Sequence, residues 1–310
     1  MNDYANDPRA LNVPWVFSPF FMESPMAGRM ASADRRTAET FRRQGYVILE
    51  GPVVDSDTID RAIEDLDGRY DDAQTGQGEP SRKLDAWHIS AAVADIARAP
   101  IVLETLEMLY GRRAFPFQTL NFERGTQQRA HSDTIHFHCV PQRFMAGVWV
   151  ALEDIHPDSG PLQVFPGSHT LPVFDPFDLG IDASWDRHHE YEEAIVALVR
   201  AQNLEPLSLA PRRGEAVIWA ANLLHGGSSV VDPKRTRLSQ ASHYYFEDCF
   251  YYQAAVSDPF VGRLALKSVE EVGTGRVVPN VYRGRPVEDW LRAPDKRGGW
   301  RRFFDRSSRS

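Results

Sequence analysis

The chain has 310 residues, of which 42% are hydrophobic and 25% charged, a composition typical of soluble globular proteins with one large or two small domains. The net charge of −8 does not favour nucleic-acid binding, and no apolar run approaches the roughly 18 residues of a membrane span. Cys139 and Cys249 do not make a disulfide framework, and the acidic N-terminus lacks the apolar segment of a secretory signal, so we expect a cytoplasmic protein.

The first third of the chain is predicted to be mainly helical. Residues 1–33 have no clear period and are expected to form an arm whose aromatic side chains pack on the body or on a partner subunit. Residues 70–83 are polar and rich in Gly, which predicts a loop. Helices are predicted at 34–43, 55–66, 88–98 and 101–110, and a strand at 46–49.

From Ala114 onward the pattern changes to short strands separated by turns. Strands are predicted at 115–122, 144–152, 162–165, 207–209, 215–219 and 236–246. Residues 170–205 interrupt the pattern with an insertion that is helical at 191–200. The predicted fold is therefore mainly β with flanking helices, a double-stranded β-helix (jelly roll, cupin-like) with its core at about 114–246.

A metal site is indicated by His131-Ser132-Asp133. On an extended strand, residues i and i+2 point to the same face, so the imidazole and the carboxylate could bind one ion. His225, in the sequence Leu224-His225-Gly226, is the best third ligand. Two His and one carboxylate form the facial triad of non-haem Fe(II) oxygenases. His136 and His138 have the same spacing and are rival ligands.

Several motifs occur in a specific order. They are Phe41 to Ile48, His131 to Asp133, Gly147 to Asp154, Gly160 to His169, Leu224 to Gly226, and Arg237. Together they resemble the phytanoyl-CoA dioxygenase (PhyH) family, in its ectoine-hydroxylase-like form, from about residue 38 to 246. The resemblance implies a jelly roll that holds Fe(II) and uses 2-oxoglutarate and O2 as co-substrates. It does not imply phytanoyl-CoA as the substrate.

A receptor for the distal carboxylate of 2-oxoglutarate is predicted at Arg237, because a guanidinium binds a carboxylate with two parallel hydrogen bonds. The Arg237-x-Ser239 arrangement looks like the co-substrate site of the family. Arg235 has the same strand parity and is the rival. Gln118 and Thr134 are weaker co-substrate candidates. Substrate contacts are predicted at Gln128, His136, His138 and Trp149.

The resulting hypothesis is an Fe(II)- and 2-oxoglutarate-dependent dioxygenase that hydroxylates an unactivated carbon of a small, polar or anionic metabolite. Asp133 fills the position that is small in related halogenases, which favours hydroxylation. The alternatives are a non-catalytic jelly-roll binding protein and a cupin-like metal enzyme that does not use 2-oxoglutarate. No nucleic acid or membrane is expected as a partner, and homodimerisation is left open.

The predicted organisation is a single dioxygenase domain between two peripheral segments. Residues 1–33 form the arm, 34–255 the domain, and 256–310 a C-terminal extension packed on the core. The insertion at 170–205 and the loop at 70–83 are expected to cover the substrate as a lid, since loops longer than about 12–15 residues in compact domains are usually functional or disordered.

Overall fold

The computed structural model describes residue 7 and residues 11–70, 82–282 and 284–287. Most of the longer helices belong to the first third of the chain, as the sequence predicts. The α-helices are α1 (Pro25–Gly28), α2 (Ser32–Gln44), α3 (Ser56–Leu66), α4 (Ala91–Ala97), α5 (Pro100–Tyr110) and α6 (His188–Ala201). Within the described ranges, no helix is long and apolar enough to cross a membrane.

Short antiparallel strands dominate the rest of the chain. The first eight are β1 (Tyr46–Leu49), β2 (Arg82–Leu84), β3 (Ala114–Phe122), β4 (His138–Val140), β5 (Met145–Ala151), β6 (Leu162–Val164), β7 (Leu207–Leu209) and β8 (Ala216–Ala220). The others are β9 (His225–Gly227), β10 (Ser239–Phe246), β11 (Phe250–Tyr252), β12 (Val269–Glu271), β13 (Arg276–Val278), β14 (Val281–Tyr282) and β15 (Arg285–Pro286).

Two sheets form the body of the protein. The six-stranded major sheet has the order β1-β8-β5-β10-β3-β2, and the three-stranded minor sheet has the order β7-β6-β9. In both sheets the neighbouring strands are antiparallel. The prediction of a mainly β fold with flanking helices is confirmed, and this arrangement is that of a double-stranded β-helix.

Two hydrophobic clusters show why the sequence folds in this way. The larger cluster joins the helices to the major sheet and contains Phe41, Leu106 and Val148, all of them buried. The smaller cluster contains Trp149 and Trp219 of the major sheet together with Leu162 and Val164 of the minor sheet. Because successive residues of a strand point to opposite faces, each central strand contributes to both clusters.

The N-terminal arm packs on the body within the described residues. Trp15 and Phe21 are buried in the larger cluster, where their rings meet edge to face at 4.9 Å. Arg42 of α2 donates a hydrogen bond to the carbonyl oxygen of Ser18 at 3.0 Å. In the C-terminal segment, Val269 and Val278 join the same cluster. The domain boundaries themselves stay predictions.

Two local predictions differ from the structure. The helix predicted at 88–98 is split into a 3-10 turn at Ala86–His88 and α4. Ser90 separates them, because its hydroxyl accepts a hydrogen bond from the backbone N–H of Val93 and so caps α4. Most of the predicted loop at 70–83 lies outside the described residues, but Arg82 and Lys83 belong to β2.

Candidate metal centre and co-substrate cavity

His131 and His225 are brought together by an isolated antiparallel bridge between their backbones. Each backbone N–H donates to the other residue's carbonyl oxygen at 3.0 Å. Asp133 does not lie on a strand as the sequence predicts, since it begins a 3-10 turn at Asp133–Ile135. Ser132 causes the change, because its hydroxyl accepts a hydrogen bond from the Thr134 N–H and caps the turn.

The three predicted ligands converge on one point. Among the described residues, the group of His131, Asp133 and His225 is the one whose possible ligand atoms all lie within 4.8 Å of one another. Asp133 Oδ1 lies 3.9 Å from His131 Nε2 and 3.6 Å from His225 Nε2. All three side chains are at least nine-tenths buried. This His-Asp-His set is the facial triad of non-haem iron oxygenases.

Local backbone carbonyls fix which nitrogen of each imidazole faces the centre. His131 Nδ1 lies 2.9 Å from the Arg129 carbonyl oxygen, and His225 Nδ1 lies 3.0 Å from that of Leu223. Both Nδ1 atoms must therefore carry protons, which leaves the Nε2 lone pairs free to bind a metal. Burial lowers the pKa of each imidazole to about 4, so both are neutral at physiological pH.

Trp219 holds the carboxylate of the triad. Its indole N–H donates to Asp133 Oδ2 at 2.8 Å, which leaves Oδ1 directed at the two imidazoles. Trp219 fits only because its neighbour on β5 is Gly147, where an added Cβ would overlap the indole ring. Sequence reasoning placed Trp219 on a strand but did not find this role, because 86 residues separate it from Asp133.

The donor set fits a divalent metal ion. Two neutral Nε2 lone pairs and a carboxylate oxygen face one another, and all three are acceptors. In addition, the side-chain amide nitrogen of Gln128 lies 3.4 Å from His131 Nε2. Imidazole and carboxylate ligands in this number suit Fe(II).

A cavity of about 270 Å³ lies between the two sheets at the triad. Besides the three ligands, its walls are formed by Arg82, Leu84, Gln118, Leu120, Phe122, Thr126, Gln128, His136, Phe137, Trp149, Leu162, Trp219, Gly226, Arg237, Ala241 and His243. They come from both sheets and from the segment around the 3-10 turn at Asp133. The metal centre therefore opens into a half-open pocket with polar and aromatic walls.

Arg237 supplies a buried cation in this cavity. Its guanidinium lies 5.3 Å from the ring centre of Phe122 and 5.4 Å from that of Trp149, and it donates to the Arg124 carbonyl oxygen at 3.0 Å. In the described part of the chain, no acceptor lies within hydrogen-bond distance of Arg237 Nε. Burial lowers the pKa of Arg237 to about 10, so the group stays cationic at neutral pH. An unpaired buried cation of this kind can bind a carboxylate.

Unlike Arg237 Nε, the other predicted co-substrate residues already have polar partners within the protein. Gln118 lines the cavity, but its side-chain oxygen accepts a hydrogen bond from His243 Nδ1 at 3.1 Å. Ser239 is fully buried beside Arg237, and its hydroxyl donates to the Arg237 carbonyl oxygen at 3.3 Å. The hydroxyl of Thr134 lies 2.7 Å from that of Ser132. The rival Arg235 forms an exposed ion pair with Asp232 at 3.2 Å.

The structure places three of the four predicted substrate residues in the cavity wall and the fourth outside it. Gln128, His136 and Trp149 line the cavity, with Trp149 against Arg237. His138 turns away from it, stacks on Tyr252, and places Nε2 3.8 Å from Asp175 Oδ2.

His136 meets the insertion at 170–205. The ring of Trp185 stacks on it at 5.6 Å with an interplanar angle of 18°, and the ring of His188 lies 5.3 Å away. Trp185 is 48% exposed. The His188 side chain is about three-quarters buried and contacts this stack.

Comparison with known proteins gives a family match and several relatives. The family model described as Phytanoyl-CoA dioxygenase (PhyH) matches residues 41–238, more than half of the chain. An ectoine dioxygenase from Nocardia farcinica is 26% identical over 217 residues, covering 63% of this chain and 72% of the relative. One from Sphingopyxis alaskensis is 26% identical over 245 residues, covering 71% and 76%.

Solved structures show the same fold. The epimerase SnoN, in complex with Fe3+, alpha ketoglutarate and nogalamycin RO, has a TM-score of 0.59 and 21% identity, covering 82% of this chain and 95% of that one. EctD from Sphingopyxis alaskensis with bound Fe has a TM-score of 0.52 and 22% identity, covering 70% and 77%. At these identities the likeness supports the double-stranded β-helix rather than a shared substrate.

Proposed function

Since the chain belongs to the phytanoyl-CoA dioxygenase family of non-haem Fe(II)/2-oxoglutarate oxygenases, we propose that it hydroxylates an unactivated carbon of a small, polar or anionic metabolite. The observation that carries the proposal is the pairing of the triad with Arg237. Both line one cavity, and the described residues offer the Arg237 Nε no acceptor. Fe(II) bound by the triad, with 2-oxoglutarate and O2, would supply the oxidising chemistry.

Different residues position the co-substrate and the metal-binding carboxylate. Arg237 binds the distal carboxylate of 2-oxoglutarate, and Phe122 and Trp149 keep water from that ion pair by packing on the guanidinium. Trp219 orients the carboxylate of Asp133. A metal held by His131 Nε2 would leave the amide of Gln128 free to donate a hydrogen bond to an oxygen atom of the co-substrate or substrate.

The substrate class is inferred from the remaining walls. Gln128, His136 and Thr126 offer hydrogen-bonding groups, and Arg82 of β2 adds a positive charge among the lining residues. These groups favour a polar or anionic molecule over a long hydrocarbon chain. Asp133 places a carboxylate at the ligand position that is small in related halogenases, and this favours hydroxylation. Homodimerisation and a cytoplasmic location stay predictions.

A metabolite screen tests the proposal. The full-length protein with Fe(II), 2-oxoglutarate and O2 is incubated with pools of amino-acid derivatives and sugar acids, and succinate formation and product masses are recorded. We expect one pool to raise 2-oxoglutarate consumption and to give a product heavier by one oxygen atom. The Asp133→Ala variant should give neither signal. Full metal binding without any 2-oxoglutarate consumption would instead favour a cupin-like metal enzyme.

A further inference from the structure

His243 is a fourth imidazole at the metal centre that the triad does not use. It lies on β10, opposite Gln118 of β3, and lines the cavity with only 5% of its surface exposed. Its Nδ1 lies 3.1 Å from the side-chain oxygen of Gln118. Since that oxygen is an acceptor, Nδ1 carries the proton, and the ring is held with Nε2 toward the centre.

Among the residues that the structure describes, none forms a hydrogen bond with the Nε2 atom of His243. It lies 3.9 Å from Asp133 Oδ1, which is too far for a hydrogen bond. In a neutral imidazole whose Nδ1 proton is donated to Gln118, Nε2 presents a lone pair. Two acceptors, the His243 Nε2 and the Asp133 Oδ1, thus face each other in a buried space. Such a pair needs a donor between or beside them.

A metal bound by the triad would not by itself give the His243 Nε2 a partner. In the part of the chain that the structure describes, the compact group of ligand atoms within 4.8 Å of one another contains His131, Asp133 and His225 but not His243. His243 is therefore outside the ligand set, although its Nε2 lies 3.9 Å from the ligand atom Asp133 Oδ1. Its aromatic neighbour Phe137, with a ring centre 4.6 Å away, restricts the ring to this orientation.

We propose that His243 is a positioning residue whose Nε2 accepts a hydrogen bond from an O–H group held beside Asp133 at the metal centre. The group is water in the resting protein and a substrate hydroxyl in the loaded one. Gln118 then acts through His243 rather than on 2-oxoglutarate. The inference rests on the proposed function only for the loaded state, because the resting state requires no more than a bound metal.

The test uses Mn2+ as the probe, so that 2-oxoglutarate and the substrate are not needed. The variants are His243→Gln, His243→Asn and His243→Phe in the full chain. Gln places an amide near the Nε2 position, whereas Asn reaches only the Nδ1 position and can contact only Gln118. Mn2+ affinity is measured from the electron paramagnetic resonance signal of the free ion. The relaxation rate of water protons per bound ion reports the held water.

We expect His243→Asn and His243→Phe to weaken Mn2+ binding about 10-fold, the lower end of the range for outer-shell partners of metal sites, and to change the water relaxation rate. His243→Gln should retain most of the wild-type Mn2+ affinity and water relaxation rate. His138→Asn, a buried imidazole outside the cavity, is the matched control and should change neither. A substrate hydroxyl is supported if adding the screened substrate to the wild type, but not to His243→Asn, changes the same signal.

Equal behaviour of the Gln and Asn variants, or a relaxation rate that no His243 variant changes, would overturn the proposal and leave a structural role. If Phe fails to fold, the comparison of Gln with Asn still decides. If Mn2+ behaves as expected but 2-oxoglutarate is never consumed, the proposed function fails and the role of His243 stands.

Discussion

Two walls of the same cavity are built in different ways. The sheet wall, formed by Phe122, Trp149 and Arg237, comes from two regular strands and from a residue two positions before a third, and its groups are fully or nearly buried. The insertion wall is His136 at the end of a 3-10 turn, against which Trp185 and His188 of the insertion pack without lining the cavity themselves, and Trp185 is half exposed. The sheet wall is expected to be rigid and specific for the co-substrate, and the insertion wall to be adaptable and specific for the substrate.

The largest expected effect concerns the triad on which both walls depend. His225→Ala should abolish the visible charge-transfer band that anaerobic Fe(II) and 2-oxoglutarate give with the wild type, because one of only three ligands is lost. His131→Ala and Asp133→Ala should behave alike. Absorption spectroscopy under argon measures the band. A full band in His225→Ala would show that another residue completes the site.

The next largest effect is expected from substituting Arg237 in the sheet wall. Losing one partner of a buried charge pair costs roughly 3–5 kcal/mol, so Arg237→Ala should raise the KM for 2-oxoglutarate about 100-fold or more while iron binding persists. Arg237→Lys keeps the charge without the planar guanidinium, so its KM for 2-oxoglutarate should lie between those of the wild type and Arg237→Ala. Arg235→Ala, in an exposed ion pair, is the matched control. A large rise in KM for Arg235→Ala alone would move the role to that residue.

A smaller effect is expected behind the triad. Gly147→Ala should displace the indole of Trp219, and with it the hydrogen bond to Asp133. We expect a loss of about 1–3 kcal/mol of folding stability from overpacking, and metal binding weaker by about 10-fold. Thermal unfolding and Mn2+ titration measure the two effects. Trp219→Phe should weaken metal binding with less overpacking.

Gly28→Ala is the control for the glycine substitution, because Gly28 is exposed and an added Cβ meets nothing within 4 Å. Metal affinity that survives in both Gly147→Ala and Trp219→Phe would show that Asp133 needs no support from the indole.

The smallest effect should arise at the insertion wall. Trp185→Ala removes an aromatic contact with His136, and such pairs contribute about 0.5–1.5 kcal/mol, so the KM for the substrate should rise roughly 2- to 10-fold. Iron and 2-oxoglutarate binding should not change. Phe260→Ala, also an exposed aromatic residue, is the control. If Trp185→Ala instead alters the KM for 2-oxoglutarate, the division between the two walls is wrong.

The difference between the walls also explains what could be predicted from the sequence. The alternation along the strand predicted at 236–246 places Arg237 and His243 on one face, and both line the cavity. Ser239 shares that parity but lies outside the lining residues, because parity sets a direction and not a depth.

The insertion wall left no comparable signal in the sequence. His136 and Trp185 are 49 positions apart and belong to irregular segments, so no period relates them. The 3-10 turn at Asp133 also displaced the positions that follow it, which is why His138 faces Asp175 rather than the cavity. Turns capped by side chains change the direction of the chain over one or two residues, and strand alternation does not extend through them.

The way in which the two ligand imidazoles are oriented has a consequence for engineering. His131 and His225 are each aligned by the carbonyl two positions earlier in the chain, at Arg129 and Leu223, and not by a side chain. Exchanging side chains such as Gln128, His136 or Trp185 therefore leaves those two alignments in place. Libraries randomised at the insertion wall should keep a working iron centre in most members, which makes this protein a suitable starting point for directed evolution toward new substrates.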